Sequence, residues 1–129
     1  MEKEVDIITL SKKLTEMTEQ EKCAWKQTSE KNRFKLGMKN GAIEICKIVP
    51  DPLDFMKMKR ITYSVSLFDK NQIRYATYES DDIQDDLYKC LRELYSTIID
   101  VLEKGRRRKI ALLFDELTDA STDDGDEKK

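Results

Sequence analysis

The sequence contains no histidine. That removes the commonest general base and the commonest metal ligand from any proposed chemistry. Cysteine is sparse and odd in number: Cys23, Cys46 and Cys90 stand far apart and form no CxxC pair. A reduced, cytoplasmic protein is the simplest expectation. No stretch approaches the length of a membrane span, and the charged start Met1-Glu2-Lys3-Glu4-Val5-Asp6 has no apolar run behind it, so neither a signal peptide nor a membrane anchor is expected. There are only two prolines, both in one stretch, and only four glycines. Neither GxGxxG nor GxxxxGK[ST] occurs. No cofactor is implied. Net charge is −2, so global charge points to neither nucleic acid nor an acidic membrane surface.

What is present is charge and periodicity. Of 129 residues, 39% are apolar and 39% charged, which fits one small domain with a thin core and a highly charged surface. The strongest pattern runs from Asp82 to Lys104. Ile83, Leu87, Cys90, Leu91, Leu94, Ile98, Val101 and Leu102 recur at steps of three and four, with polar residues between them. This predicts an amphipathic helix roughly 33 Å long, enough to cross a small sheet. Ser80 and Asp81 are candidate caps and Gly105 a candidate stop, though Gly105 could equally bend the helical path.

The chain before that helix alternates like a sheet. Residues 4–21 come first and predict a helix with Ile7, Leu10, Leu14 and Met17 on its apolar face. Cys23 to Thr28 is a candidate short strand with Trp25 turned inward. Arg33 to Lys39 alternates and ends at Asn40-Gly41, a dipeptide suited to a type I′ hairpin turn. That turn would pair Met38 with Ile43 and Leu36 with Ile45. Arg60 to Phe68 places Ile61, Tyr63, Val65 and Leu67 on one face. A three-residue turn at Asp69-Lys70-Asn71, with Asn71 left-handed and a bulge, would set Leu67 opposite Ile73, Val65 opposite Tyr75 and Tyr63 opposite Thr77. After Gly105, Ile110, Leu113, Phe114 and Leu117 predict a short last helix. From Ala120 to Lys129 a polar, acidic tail is expected to be disordered. The fold class is therefore α+β: an N-terminal helix, a four- to five-stranded antiparallel meander, then a long helix and a short last helix on one sheet face, forming one domain over 1–119.

Four clusters are candidates for function. Asp81, Asp82, Asp85 and Asp86 could attract a divalent cation, but acids in a helix's first turn also complement its dipole, and that reading is preferred. Arg106, Arg107, Arg108 and Lys109 could contact phosphates. Leu53, Phe55, Met56 and Met58 make the proline-containing stretch 49–59 unusually apolar for a loop, and they could complete the core or offer a contact surface. The last helix poses the same choice. The cysteines read as small buried hydrophobes, and Tyr63, Tyr75, Tyr78, Tyr88 and Tyr95 as residues at the core's edge with wet hydroxyls.

The strands Trp25-Lys26-Gln27-Thr28-Ser29, Asn32-Arg33-Phe34-Lys35-Leu36, Ile43-Glu44-Ile45 and Tyr63-Ser64-Val65-Ser66-Leu67-Phe68-Asp69 resemble those of a loose group of small, uncharacterised bacterial and phage-associated proteins. That group pairs an N-terminal helix with a W-x-x-T strand, a Y-x-L-x-(L/F)-x-D strand and C-terminal helices, one of which often has an Arg-rich start, as Arg106 to Leu117 does. The resemblance spans about residues 8–117. It implies the meander-and-helix fold and a prokaryotic, intracellular origin, and it implies no activity. The functional expectation is a non-enzymatic protein-interaction or regulatory domain. Leu53, Phe55, Met56, Met58, Ile110, Leu113, Phe114 and Leu117 would supply the contacts. A homodimer is expected if the last helix cannot bury its stripe within one chain. One alternative is a nucleic-acid-binding regulator using Arg106 to Lys109, and another is a small-ligand binder in a groove between sheet and helix.

Overall fold

The computed structural model describes residues 6–51, 53 and 60–127, with side chains to Asp119. Helix α1 spans Ile7–Glu19. Asp6 caps it: its Oδ1 accepts the Thr9 N–H at 2.7 Å, and this bond holds the Asp6 carboxyl below the usual carboxylate range. At the other end Glu21 takes the left-handed conformation (φ 58°). Its N–H bonds to the Thr18 carbonyl and the Lys22 N–H to the Met17 carbonyl, both at 2.9 Å, which closes the helix in a Schellman motif. Leu14 is buried as the periodicity predicts, and Ile7 and Leu10 pack against the core. Met17 is only half-buried. Instead Ser11, Thr15 and Thr18 are buried. The Thr15 and Thr18 hydroxyls donate to carbonyls one turn back, at 2.9 and 2.6 Å, whereas Ser11 Oγ has no hydrogen-bond partner among the described residues. Thr18 also accepts the indole N–H of buried Trp25 at 2.9 Å, which ties the segment after α1 back onto the helix.

Five strands follow: β1 (Lys26–Gln27), β2 (Arg33–Met38), β3 (Gly41–Ile48), β4 (Thr62–Asp69) and β5 (Arg74–Ser80). Each pairs antiparallel with the next, in sheet order β1-β2-β3-β4-β5. The meander matches expectation, but both hairpin registers differ from it. In the first, Leu36 faces Ile43 and Phe34 faces Ile45, with Met38 closing the turn on Gly41. The two turn residues are therefore Lys39 and Asn40, neither of which has positive φ. The register is two residues from the expected one, and a shift of two keeps every side chain on its face. Gly41 is used for space instead. A Cβ there would collide with the Phe68 carbonyl oxygen across the β3–β4 pair.

In the second hairpin the three-residue turn is Lys70-Asn71-Gln72, one residue later than expected, and Gln72 (φ 66°), not Asn71, is left-handed. Asp69 organises it by accepting the N–H groups of Asn71 and Ile73 at 2.9 and 3.0 Å. A bulge beyond the turn then sets Leu67 opposite Ala76, Val65 opposite Tyr78 and Tyr63 opposite Ser80. An odd shift exchanges faces. Thr77 therefore lies beside Ser66, with their hydroxyls 3.2 Å apart, and Ile73 and Tyr75 are exposed.

The last helix, α2, spans Asp86–Glu127 without a break. It begins four residues later than expected. Ser80, Asp82 and Asp85 form the lead-in, with Asp85 accepting the Leu87 N–H at 3.2 Å and the Ser80 hydroxyl at 2.9 Å. Asp82 and Asp85 are thus engaged in turn and cap hydrogen bonds, Asp86 stands in the first turn, and Ile83 stays outside, exposed. The separate short last helix is corrected to a continuation of α2. Gly105 in a helix interior costs about 1 kcal/mol against alanine. That is too little to stop a helix flanked by good helix formers and braced by the Glu103–Arg106 pair at 2.9 Å. The helical backbone also reaches Glu127, inside the segment expected as a disordered tail. No proline interrupts it, and each added residue gains a backbone hydrogen bond. A Cβ at Gly105 would meet nothing within 4 Å, so Gly105→Ala should raise stability by about 0.5–1 kcal/mol. Thermal melts followed at 222 nm would show it as a small rise in Tm, and a fall would mean that the glycine is needed for close packing.

The core is one cluster drawn from α1, β2, β3, β4 and α2, centred on Ile45, Val65, Leu91, Leu94 and Ile98. Four rings join in edge-to-face contacts: Phe34 with Tyr95 at 5.6 Å, and Tyr63 with Tyr88 and Tyr95 at 5.2 and 5.7 Å. Tyr63, Tyr88 and Tyr95 are thus core residues, while Tyr75 and Tyr78 are exposed.

Candidate functional site

The geometry that matters follows from two lengths. Five strands side by side are roughly 24 Å wide at most. A helix the length of α2 is roughly 63 Å long. No arrangement lets this sheet cover that helix. The contacts show where cover ends. Tyr88 of α2 meets Tyr63 on β4, and Tyr95, one stage on, meets Phe34 on β2. Leu102 and Gly105 then line an open groove with Cys23 and Gln27, beside β1 at the sheet's edge. Further along α2, the two terminal nitrogens of Arg108 bond both oxygens of Glu21 at 2.8 and 3.1 Å. This fork holds the Glu21 carboxyl below its usual range and raises the guanidinium's pKa. Glycine would suit the left-handed backbone at 21 better, but it could not hold Arg108.

Every side chain from Arg106 to Asp119 is exposed. Within that stretch Ile110, Leu113, Phe114 and Leu117 lie 58%, 60%, 68% and 69% open. Their spacing of three, one and three places them on one helical face. At about 100° per residue the centre of that face is turned roughly 90° from the stripe of Ile98 and Leu102 that enters the core. None of the four belongs to the buried core cluster. Leu112 is also exposed but lies outside the stripe.

The other candidates disperse. Arg106, Arg107, Arg108 and Lys109 are consecutive on a helix, so they point around it and do not form one face. Arg106 is paired with Glu103 and Arg108 with Glu21. Arg107 and Lys109 have no ion-pair partner among the described residues. Of the apolar loop, Leu53 is described and is exposed, whereas Phe55, Met56 and Met58 lie outside the described residues. Burial raises the thiol pKa of Cys46 and Cys90, so neither is poised as a thiolate. Burial likewise raises the Tyr63 and Tyr95 hydroxyls, and the latter donates to Asn32 Oδ1 at 3.2 Å.

On the sheet's outer side lies a cluster the sequence reading did not single out as a group. Arg33 Nη1 donates to Glu44 Oε1 at 2.7 Å, and its Nε stands 2.9 Å from Glu30 Oε2. Ser64 and Ser66 are buried beside these long neighbours. The groove there measures about 170 Å³ and is lined by Arg33, Glu44, Ser64 and Ser66 together with Cys46, Ile48, Arg74, Thr77 and Glu79. The pairing of Arg33 with Glu44 across β2 and β3 is visible only once the register is known. No family model matches this chain, and neither a curated protein nor a solved structure matches it.

Proposed function

We propose that this protein is a non-enzymatic protein-interaction domain whose contact element is the part of α2 beyond Gly105. In this reading α1 and the first half of α2 cover one face of the sheet and make a rigid base. The second half of α2 then reaches past the sheet edge to meet a partner. One observation carries it: an exposed apolar stripe, Ile110, Leu113, Phe114 and Leu117, on a helix too long for its own domain to cover. Exposed apolar patches of this kind mark contact sites. The clamp between Glu21 and Arg108 supports the reading, because it fixes the helix where it leaves the body. The absence of histidine and the raised thiol pKa values weigh against an enzyme. A phage or other mobile-element origin rests on the resemblance of the strands alone.

A Leu113→Glu, Leu117→Glu double variant tests the reading. The body should melt within about 2 °C of the wild type, because exposed positions away from the core move stability little. A fall of more than about 8 °C, or loss of the sheet signal in circular dichroism, would place the stripe in the core and end the proposal.

A further inference from the structure

We infer that the α2 extension pairs antiparallel with the same segment of a second copy of this chain. This rests on the reading of the stripe as a contact surface and adds its occupant and orientation. The argument is one of charge and register. Along the extension, charge changes sign: Arg106, Arg107, Arg108 and Lys109 precede the stripe, whereas Asp115, Glu116 and Asp119 lie within and after it. A parallel pair would set basic run against basic run. An antiparallel pair sets each basic run against an acidic one.

The register can be stated. In paired helices, residues seven apart occupy equivalent positions beside the seam. Ile110, Leu113 and Leu117 are the seam residues. Lys109 and Glu116, seven apart, then both flank it on the same side. In an antiparallel pair, equivalent flanking positions face each other, so Lys109 meets Glu116 of the second copy and Glu116 meets its Lys109. The two-fold axis thereby makes two ion pairs. That register also lays Ile110 against Leu113 of the second copy, and Leu117 along the aliphatic stem of its Arg106. Phe114 comes beside Arg107 of the second copy, where a guanidinium can stack on the ring. In a parallel pair Lys109 would face Phe114 and Glu116 would face Ser121, with no ion pair. The area is consistent with a weak dimer: four large side chains per chain, each more than half open, approach the lower bound of roughly 1,200 Å² total for specific complexes.

The test is sedimentation equilibrium from about 5 to 500 µM at low salt, a range that brackets a weak complex. The wild type should pass from monomer to dimer. Lys109→Glu alone and Glu116→Lys alone should each weaken dimerisation about five- to tenfold, since each puts like charges face to face twice. Mixing the two single variants should restore wild-type affinity, as heterodimers, because each chain then offers what the other lacks. A wild type that stays monomeric throughout overturns the second-copy inference. If the Leu113→Glu, Leu117→Glu variant also keeps its melting temperature, the interaction reading survives with a different partner. A dimer unaffected by either charge reversal overturns the antiparallel register. A dimer that persists in the double glutamate variant removes the stripe from the interface, and both readings fall together.

Discussion

Gly41→Ala is expected to destabilise the protein by about 3 kcal/mol or more, lowering Tm by roughly 10 °C. The reason is steric and specific. Gly41 opens β3, with φ +156°, where side chains are essentially excluded, and its Cα lies against the Phe68 carbonyl. The obstacle is backbone, not the end of a flexible side chain, so relief requires the β3–β4 pair to separate at Gly41 and Asp69. Those strands are central in the sheet and carry Ile45 and Val65. Gly37 supplies the control on the neighbouring strand. A Cβ there meets nothing within 4 Å, so Gly37→Ala should melt within about 2 °C of the wild type. Thermal denaturation of the two variants side by side decides the matter, and equal melting temperatures would show that the close approach of Gly41 to Phe68 is not maintained in solution.

The glycines also show how far the sequence could be read. Asn40-Gly41 correctly marks a chain reversal, because few residues tolerate what a tight turn asks of them. It could not show that the glycine's freedom is spent on the third strand and not on the turn. That depends on Phe68, a contact far away in sequence. Gly105 misled in the opposite sense. Locally it resembles a helix stop, but a single interior glycine is a small penalty beside the helix formers around it. The strands themselves were legible because alternation is a local property. Their registers were not, because a one-residue bulge reverses every inward and outward assignment beyond it, as Thr77, now opposite Ser66, demonstrates.

The candidate site was legible as a list of residues and illegible as a surface. Ile110, Leu113, Phe114 and Leu117 were found by their spacing. Whether they were core depended on Gly105, since a break there would have let the last segment fold back onto the sheet. Adjacency alone does not make the basic run a patch. Four cations in a row look like a patch in a sequence, yet a helix spreads them around its axis, and Glu21 reaches across from the end of α1 to take one of them. The buried Ser11, Thr15 and Thr18 left the weakest signal, because short polar residues on a helix usually read as its wet face. Only the i, i+4, i+7 spacing of these three hinted at a packed stripe.

Two leucines on the same helix offer the sharpest contrast between holding the fold and using it. Leu94→Ala should cost about 3–4 kcal/mol of stability, because Leu94 is fully buried among core side chains that cannot close the gap left behind. Leu113→Ala should change the unfolding free energy of the dilute monomer by no more than about 0.5 kcal/mol, since its side chain already stands in water. Its effect should fall on association, and there it counts twice, once from each copy. Fully burying a leucine-sized side chain contributes about 1.5–3 kcal/mol, so the part-exposed stripes of two copies together offer on the order of 10 kcal/mol gross. Lost translational and rotational freedom opposes this by at least roughly 4 kcal/mol, leaving no more than about 6 kcal/mol, a dissociation constant of tens of micromolar or weaker. Removing two leucines from such an interface should therefore weaken it tenfold or more, on the order of 1.4 kcal/mol for each decade. Urea denaturation at low concentration and sedimentation at high concentration separate the two effects. If Leu113→Ala lowers monomer stability as much as Leu94→Ala does, the extension is packed against its own domain and has no surface to offer. If it leaves the monomer untouched and abolishes the dimer, the two halves of one helix divide the labour: the first holds the sheet, and the second makes the contact.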